Sequence, residues 1–178
     1  PKDDKVMAYV NTKDLKDEDY INSHYIVMCT KKGVVKKTSL EQYSRPRANG
    51  INAITIREGD QLLEAKMTTG NSQIMIAGKS GKSIRFEEEK VRSMGRTAAG
   101  VRGIRLADDN DEVVGMICID NLESSVLVVS ENGYGKRSAV EDYRITNRGG
   151  KGVKTINVTE KTGSLIALKN VTDVDDLM

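Results

Sequence analysis

The amino-acid sequence predicts an all-β, propeller-like array of four-stranded sheets, because one pattern of strands and turns occurs three times along it. The turn glycines of the three copies are 48 and 52 residues apart, and the glycines that close the following loops are 50 and 52 residues apart. A period near 50 residues with several short strands per unit is typical of propeller blades. These glycines are, in order, Gly33, Gly81 and Gly133 at the turns and Gly50, Gly100 and Gly152 at the loops.

Each repeat has the same order of elements: an apolar strand, a glycine turn, a second strand, a glycine-closed loop, and two further strands. The first strands are apolar without alternation, which predicts that both of their faces are covered. The later strands alternate, as half-buried strands do. The predicted strands are 25–30, 34–38, 51–56 and 61–68, then 73–78, 82–86, 101–106 and 113–119, then 125–130, 134–138, 153–158 and 164–170. Short helical turns are predicted at 39–43, 87–92 and 139–143, and no long amphipathic helix is predicted.

The whole chain, residues 1–178, is predicted to be a fragment of one domain built from these repeats. A single four-stranded unit cannot bury its own faces and has to pack against its neighbours. We assign repeat 1 to residues 24–71, repeat 2 to 72–123 and repeat 3 to 124–171. Residues 1–23 are interpreted as the end of a preceding blade, with a strand at 5–10, and a charged connector. Residues 172–178 are interpreted as the start of a next blade.

The composition fits many short strands and limits where a charged binding surface can lie. The chain has 16 glycines, 2 prolines, one Phe and no Trp, so its cores are expected to consist of aliphatic side chains. The net charge is only +2, with 28 basic and 26 acidic residues. Any basic surface must therefore be local. The acidic clusters at 14–19, 87–89, 108–112 and 173–176 are predicted to be solvated loops.

The sequence indicates no catalytic or metal site. The sole histidine, His24, has no second metal-ligating residue nearby and no partner for serine-based catalysis. The segment 78–83 is similar to the end of a phosphate-binding loop, but the first glycine of that motif is replaced by Ile76, five residues before Gly81. The segment also lies in a predicted hairpin turn. We therefore expect no catalytic residue, metal or cofactor in this chain.

The cysteines and the hydropathy pattern predict a cytoplasmic location without membrane contact. Cys29 and Cys118 both lie in apolar strand patterns and are interpreted as buried free thiols of a reducing compartment. There is no signal peptide and no apolar run near 18 residues.

Basic residues recur at two places in every repeat, namely the second strand and the loop that leads into the third strand. Equivalent positions in a circular array fall on the same side of successive blades, so these cations are predicted to form a band along the rim. Such a band suits a polyanion whose phosphates are contacted without base readout. The candidate nucleic-acid-binding residues are Lys36, Lys37, Arg45, Arg47, Arg85, Arg92, Arg96, Arg102, Lys136, Arg137, Arg144, Arg148, Lys151 and Lys154.

The repeat resembles the C-terminal domain of the DNA gyrase A protein over essentially the whole chain. The resemblance rests on the full repeat, and in particular on KKGVVKKTSLEQYSRPRANGINAI at residues 31–54 and on RGGKG at residues 148–152. It implies a β-pinwheel, a propeller-like disc whose blades exchange strands, with double-stranded DNA wrapped around a basic perimeter. It also implies that the parent is an ATP-hydrolysing isomerase, a type IIA topoisomerase that introduces negative supercoils. ATP and Mg²⁺, the rest of the gyrase A protein and the gyrase B protein of an A2B2 holoenzyme would then lie outside this chain.

The sequence departs from the family's signature motif, Q-R-R-G-G-K-G, at one end. Residues 146 and 147 are Thr and Asn where the motif has Gln and its first Arg, and the segment lies in the third repeat instead of the first blade. We interpret it as a degenerate copy and expect the intact motif to precede residue 1. By this match, Arg148 and Lys151 are expected to contact phosphates.

Two other functions are compatible with the repeat. The equivalent domain of topoisomerase IV belongs to the same class and carries degenerate copies of the motif. A protein-interaction propeller belongs to a different class, but its kelch and WD signatures are absent because the chain has no Trp. Salt-steep binding of duplex DNA distinguishes the DNA-binding class from the protein-interaction class.

Overall fold

The computed structural model, which describes residues 3–178, confirms the all-β prediction. Within these residues eleven strands form three antiparallel sheets, accompanied by one short α-helix and three 3-10 turns. The strands are β1 (Tyr25–Thr30), β2 (Val34–Ser39), β3 (Leu62–Thr68), β4 (Gln73–Gly78), β5 (Lys82–Glu87), β6 (Val101–Arg102), β7 (Val113–Ile119), β8 (Ser125–Ser130), β9 (Gly135–Ala139), β10 (Val153–Lys154) and β11 (Leu165–Val171). Helix α1 is Glu18–Ser23, and the 3-10 turns are Leu40–Tyr43, Glu88–Lys90 and Val140–Asp142.

The sheets exchange strands between repeats, as the resemblance implied. The first sheet has the order β3-β1-β2-β6, the second β10-β5-β4-β7, and the third β11-β8-β9. Strand β6 belongs to repeat 2 but pairs with β2 of repeat 1, with Val34 opposite Arg102. Strand β10 belongs to repeat 3 and pairs with β5 of repeat 2, with Lys154 opposite Lys82. The third strand of one repeat is therefore the edge strand of the preceding sheet.

The third strands are shorter than predicted, because the chain turns away after two residues. The backbone N–H groups of Gly103 and Ile104 both donate to the carbonyl of the turn glycine Gly33, at 2.8 and 3.3 Å. Thr155 and Ile156 donate in the same way to the carbonyl of Gly81. The predicted strands over 101–106 and 153–158 are thus limited to β6 and β10.

Two predicted strands are absent from the structure. No strand forms over 51–56, because third strands pair with the preceding repeat and the described residues contain no sheet before the first. The prediction of a strand at 5–10 is also wrong. Val6 and Tyr9 are 86% and 85% exposed, while Ala8 and Val10 pack against the outer face of the first sheet.

Glycines at the turns and loops adopt backbone conformations that other residues rarely take. Gly33, Gly81 and Gly133 have φ between 81 and 83°. Gly100, which closes a loop, has φ of 101°, and a Cβ there would lie 2.6 Å from the carbonyl oxygen of Val35. Because this space is filled by the neighbouring backbone, the loop can join the preceding sheet only through glycine.

Apolar cores fill the space between successive sheets. One cluster joins Val27 of β1 to Ile76 of β4, and a second joins Met75 of β4 to Val128 of β8. Strands β1 and β4 are buried on both faces, as predicted, whereas β8 buries only alternate residues. Strand β4 belongs to the second sheet, which packs against the first sheet on one face and the third sheet on the other. Within the described residues, β8 has a neighbouring sheet on only one side.

The two cysteines are free thiols within this packing. Burial raises the pKa of Cys29, and it raises the pKa of Cys118 to about 12. Both side chains are therefore neutral and unreactive at neutral pH.

Helix α1 lies in the segment that we interpreted as a charged connector. The side chain of Asp17 accepts a hydrogen bond from the backbone N–H of Tyr20 at 3.2 Å, which caps the helix. Glu18 and Asp19 follow in the first turn, where negative charge is favourable, and Ile21 is buried. An Asp followed by acidic residues is a recognised signal for the start of a helix.

Candidate nucleic-acid interface

The fourteen candidate cations fall into three groups in the structure. Three are buried, namely Lys36, Lys37 and Arg85. Two are half-buried, namely Arg96 and Arg148. The remaining nine are exposed, namely Arg45, Arg47, Arg92, Arg102, Lys136, Arg137, Arg144, Lys151 and Lys154.

Lys37, on β2, is paired with a carboxylate of the next repeat and does not reach the surface. Its Nζ lies 3.4 Å from Oε1 of Glu88 and 4.7 Å from the centre of the Tyr25 ring. Glu88 is fully buried and also accepts from Thr68 Oγ1 at 2.6 Å and from the backbone N–H of Ser72 at 3.0 Å. The prediction that Lys37 binds a phosphate is wrong, because its charge is already compensated inside the protein.

Arg85 occupies the equivalent position on β5 and also joins two repeats. Its Nη1 donates to the carbonyls of Val140 and Tyr143, at 2.9 and 2.7 Å, and its Nε donates to Gln73 Oε1 at 2.8 Å. Burial lowers the pKa of Arg85, although a guanidinium stays protonated at neutral pH. The structure therefore contradicts the prediction that Arg85 binds DNA. In the first two sheets, the second strand faces the 3-10 turn of the next repeat, and its cation is bound there.

Lys36 is the most deeply buried of the candidates, with no solvent exposure. Its Nζ donates to the carbonyls of Ala53 in repeat 1 and Arg96 in repeat 2, and Tyr43 donates its hydroxyl to the same Ala53 carbonyl at 2.9 Å. Burial, with a smaller contribution from the charge of Arg96, lowers the pKa of Lys36 to about 8. Lys36 is another predicted DNA contact that the structure shows to be internal.

The lowered pKa of Lys36 predicts a specific pH dependence of stability. Between about pH 8 and 10.5 the unfolded chain keeps a proton that the folded chain has lost, so stability rises with pH relative to a variant without the amine. We expect the free energy of unfolding of the parent minus that of Lys36→Met to increase by about 1 to 3 kcal/mol from pH 7 to 9.5. Urea unfolding at four pH values measures this difference. The matched control is Lys169→Met, because Lys169 is exposed; its difference in free energy of unfolding from the unsubstituted protein should not change with pH. A difference for Lys36→Met that also stays constant would show that the assignment of Lys36 is wrong.

Lys136 and Arg137 are exposed although they lie at the positions of Lys36 and Lys37. They belong to β9, the edge strand of the third sheet, and no further repeat packs over β9 within residues 3–178. Nη2 of Arg137 lies 2.5 Å from Oδ1 of Asp173, which is itself exposed. The same sequence position is therefore internal or external according to whether another repeat covers it.

Arg96 and Arg148 lie four residues before a loop-closing glycine and bind backbone carbonyls of the preceding repeat. Nη1 of Arg96 donates to the carbonyl of Asn52, and Nη1 of Arg148 donates to the carbonyl of Arg102 at 3.0 Å. Asn52 and Arg102 occupy the same position of the repeat, two residues after Gly50 and Gly100. Nε of Arg148 makes a second bond, to the carbonyl of Lys90 at 2.9 Å.

Seven exposed cations lie on the loops or on the exchanged strands, and we call them the outer cations. They are Arg45, Arg47, Arg92, Arg102, Arg144, Lys151 and Lys154. The loop of repeat 2 starts beside β2 through a bridge between Lys37 and Ser93, and it returns to β2 through β6. The loop of repeat 3 is attached to β5 in the same way, through Arg85 and Ile145 and then through β10. Both loops are thus fixed at two points to the edge of a sheet.

Two buried carboxylates, Glu88 and Asp111, were not identified from the sequence. The run 87–89 was predicted to be solvated, but Glu88 is fully buried. In the cluster 108–112, Asp111 is 9% exposed and accepts from the backbone N–H and the hydroxyl of Ser80. Alignment of the three repeats gives one indication that Glu88 is buried. This carboxylate occupies the position that has the apolar residues Leu40 and Val140 in the other two copies.

The remaining sequence features have ordinary structural roles. Residues 79–81 form the hairpin turn between β4 and β5, as predicted. Nδ1 of His24 lies 2.8 Å from the carbonyl oxygen of Tyr20. Across residues 3–178, no group of three or more His, Cys, Asp or Glu side chains is arranged to hold a metal ion. Over the same residues, none of the helices has the length and hydropathy needed to span a membrane.

Comparison with known proteins places these repeats in a family. The family model described as "DNA gyrase C-terminal domain, beta-propeller" matches residues 24–68, 72–120 and 124–172. The DNA gyrase A proteins of Staphylococcus epidermidis and Staphylococcus aureus are each 45% identical over 177 residues, 99% of this chain. The chain spans 19% of the length of these relatives.

Two solved structures share the fold. The C-terminal domain of DNA topoisomerase IV matches with a TM-score of 0.79 and 25% identity, over 85% of this chain and 47% of the other. The DNA gyrase A C-terminal domain matches with a TM-score of 0.79 and 24% identity, over 95% of this chain and 54% of the other. With three matched repeats and the strand exchange described above, the chain belongs to the DNA gyrase C-terminal domain family.

Proposed function

We propose that this chain is a DNA-binding and DNA-bending module of a gyrase A protein, and that the outer cations contact the phosphates of duplex DNA. The observation that carries the proposal is the repetition of exposed cations on loops that are anchored at two points to successive sheets. Arg92 and Arg144 are equivalent, and so are Arg102 and Lys154. All four side chains are exposed. A duplex that follows the sheet edges would meet equivalent charges at repeats 2 and 3.

The physical basis of the binding is neutralisation of phosphates without base readout. Each phosphate contact releases condensed counterions, so affinity falls steeply with salt and depends little on sequence. Bending a site of 20–30 base pairs costs on the order of 1–6 kcal/mol, which many weak contacts have to offset. The anchored loops lower the entropic cost of binding, because their backbone is already ordered in the free protein.

The remaining functions of the parent follow from family membership and are part of the proposal. We place the cleavage of DNA, ATP and Mg²⁺ in other parts of an A2B2 gyrase, and we assign the parent to the bacterial cytoplasm. In that assembly, wrapping by this domain supports ATP-dependent negative supercoiling. The within-family alternative is a topoisomerase IV domain, which has the same TM-score of 0.79. The 45% identity to gyrase A proteins favours gyrase.

Titration with duplex DNA at several salt concentrations tests the proposal. We expect the fourfold variant Arg92→Gln, Arg102→Gln, Lys151→Gln and Lys154→Gln to bind a duplex of about 40 base pairs at least tenfold more weakly, measured by fluorescence anisotropy. The slope of log K against log salt should become shallower by about 3 to 4. If the chain were a protein-interaction propeller, the unsubstituted chain would show no salt-steep binding of DNA.

The matched control is Lys169→Gln, on β11. Lys169 is exposed but lies on the opposite edge of its sheet from β9. This variant should bind DNA like the parent. Equal affinity of the unsubstituted chain and the fourfold variant for duplex DNA would show that the outer cations are not the contact surface.

A further inference from the structure

The basic residues of the loops perform two different tasks. We infer that Arg96 and Arg148 are positioning residues: they tie the cation-bearing loop of one repeat to the preceding repeat and so set the spacing between outer cations. This inference rests on the proposed function and concerns the same surface. It separates Arg148 from Lys151, which lie in one RGGKG segment and which sequence reasoning treated alike.

The first observation is that the same contact occurs at both junctions between repeats. Arg96 donates to the carbonyl of Asn52, and Arg148 donates to the carbonyl of Arg102, the equivalent residue one repeat later. Two equivalent contacts at two independent junctions indicate a feature of the repeat. A guanidinium suits this task, because its planar set of five N–H donors can bind two separated acceptors.

The second observation is that Arg148 binds the backbone of an outer cation. The carbonyl that accepts from Nη1 belongs to Arg102, whose own side chain is exposed on β6. Lys151, three residues after Arg148, is exposed as well. Arg148 therefore connects an outer cation of repeat 2 to the loop that carries an outer cation of repeat 3.

Backbone hydrogen bonds reinforce each junction at equivalent places. The N–H of Thr55 donates to the carbonyl of Ala98 at 3.4 Å, and the N–H of Arg105 donates to the carbonyl of Gly150 at 2.8 Å. At the first junction the buried amine of Lys36 also donates to the carbonyl of Arg96. The loops are thus held as one surface with a fixed geometry, which a stiff duplex requires if it is to be bent in one direction.

Charge-conserving substitutions distinguish a positioning arginine from a phosphate contact. Arg148→Lys keeps the positive charge, but a single amine cannot reproduce the fork that reaches both Arg102 and Lys90. We expect this variant to bind the duplex about fivefold more weakly and to lower Tm by about 3 °C. At saturating protein, energy transfer between dyes on the two DNA ends should report a smaller bend. A purely structural role would lower Tm and leave the bend of the saturated complex unchanged.

Lys151 provides the matched comparison within the same loop. Lys151→Arg should bind and bend DNA like the parent, whereas Lys151→Gln should make the salt slope shallower by about 0.9 without changing Tm. Arg96→Lys should lower the affinity for DNA and the Tm less than Arg148→Lys does, because a lysine can keep the one hydrogen bond to the carbonyl of Asn52.

The outcomes separate the two proposals. If Arg148→Lys matches the parent in affinity, bend and Tm, while Arg148→Gln resembles Lys151→Gln, Arg148 is a phosphate contact and the inference is wrong. If the parent shows no salt-steep binding, the proposed function fails. In that case the Tm values of Arg148→Lys and Lys151→Gln still test whether Arg148 ties the repeats together.

Discussion

Replacing Glu88 with Ala should destabilise the protein by about 3 to 5 kcal/mol, because the substitution leaves a buried ammonium without its partner. Glu88 has no solvent exposure, and Lys37 is 7% exposed. The carboxylate also accepts hydrogen bonds from Thr68 and Ser72, so its loss removes three interactions at the junction of repeats 1 and 2. Urea unfolding, followed by far-ultraviolet circular dichroism, measures the change.

The neighbouring Glu89 is the control for this prediction. Its side chain is 74% exposed and its only ion pair is with Lys90, one residue along the chain, within the part of the protein that the structure describes. Exposed pairs of this kind contribute little, so Glu89→Ala should stay within about 0.5 kcal/mol of the parent. A double substitution, Lys37→Met with Glu88→Leu, should recover part of the loss, because no buried charge is left unpaired. If Glu88→Ala and Glu89→Ala have equal effects, the buried pair does not hold the repeats together.

Arg85→Met and Arg137→Met should have opposite consequences, although the two arginines occupy the same position of the repeat. Arg85→Met removes the side-chain donor of the carbonyls of Val140 and Tyr143 and of the amide oxygen of Gln73, although the Val140 carbonyl keeps its hydrogen bond from the backbone N–H of Tyr143 at 3.1 Å. Two acceptors, the carbonyl of Tyr143 and Oε1 of half-buried Gln73, lose their donor at about 1 to 3 kcal/mol each, so a total loss of about 2 to 4 kcal/mol is expected. Arg137→Met removes only an exposed pair with Asp173 and should cost less than about 1 kcal/mol.

Thermal or urea unfolding of both variants tests this contrast. DNA titration adds a second comparison, because a buried cation cannot release counterions from a duplex. Arg85→Met should therefore keep the salt slope of the parent under conditions in which it is folded. Equal stability losses at the two positions, or a shallower slope for Arg85→Met, would contradict the assignment of Arg85 to the interior.

A repeat array can use one residue type for two purposes. In an array of this kind each unit contacts its neighbours, and stability depends on the interfaces between units. Lys37 and Arg85 supply such an interface on the second strands, while the loops and exchanged strands carry the exposed charge. The acceptors at the two junctions differ, a carboxylate for Lys37 and two carbonyls for Arg85, yet both belong to the next 3-10 turn or the residue that ends it.

The sequence predicted most of the fold, because the features that define the repeat depend on residues close together in the chain. The turn glycines, the apolar first strands and the short helical turns are all read within a few residues, and the structure confirms them. Strand β4 has the predicted bounds at both ends. The strand at 51–56 was predicted wrongly, because a third strand depends on a partner in the preceding repeat, which no local pattern reports.

The candidate surface was predicted less completely for the same physical reason. Equivalence within the repeat correctly grouped Lys37, Arg85 and Arg137, but it did not tell which of them another repeat covers. Arg148 and Lys151, three residues apart, differ because only Arg148 donates to carbonyls 46 and 58 residues away in the chain, within the part that the structure describes.

The sequence by itself determined the period, the first two strands of each repeat, the turns and the residue types available for binding anions, since these follow from backbone preferences and apolar spacing. The tertiary structure alone decided which cations face solvent. Whether a Lys or Arg is free to bind a phosphate depends on which carbonyls and carboxylates the neighbouring repeat brings within hydrogen-bonding distance, and those partners are distant in the chain.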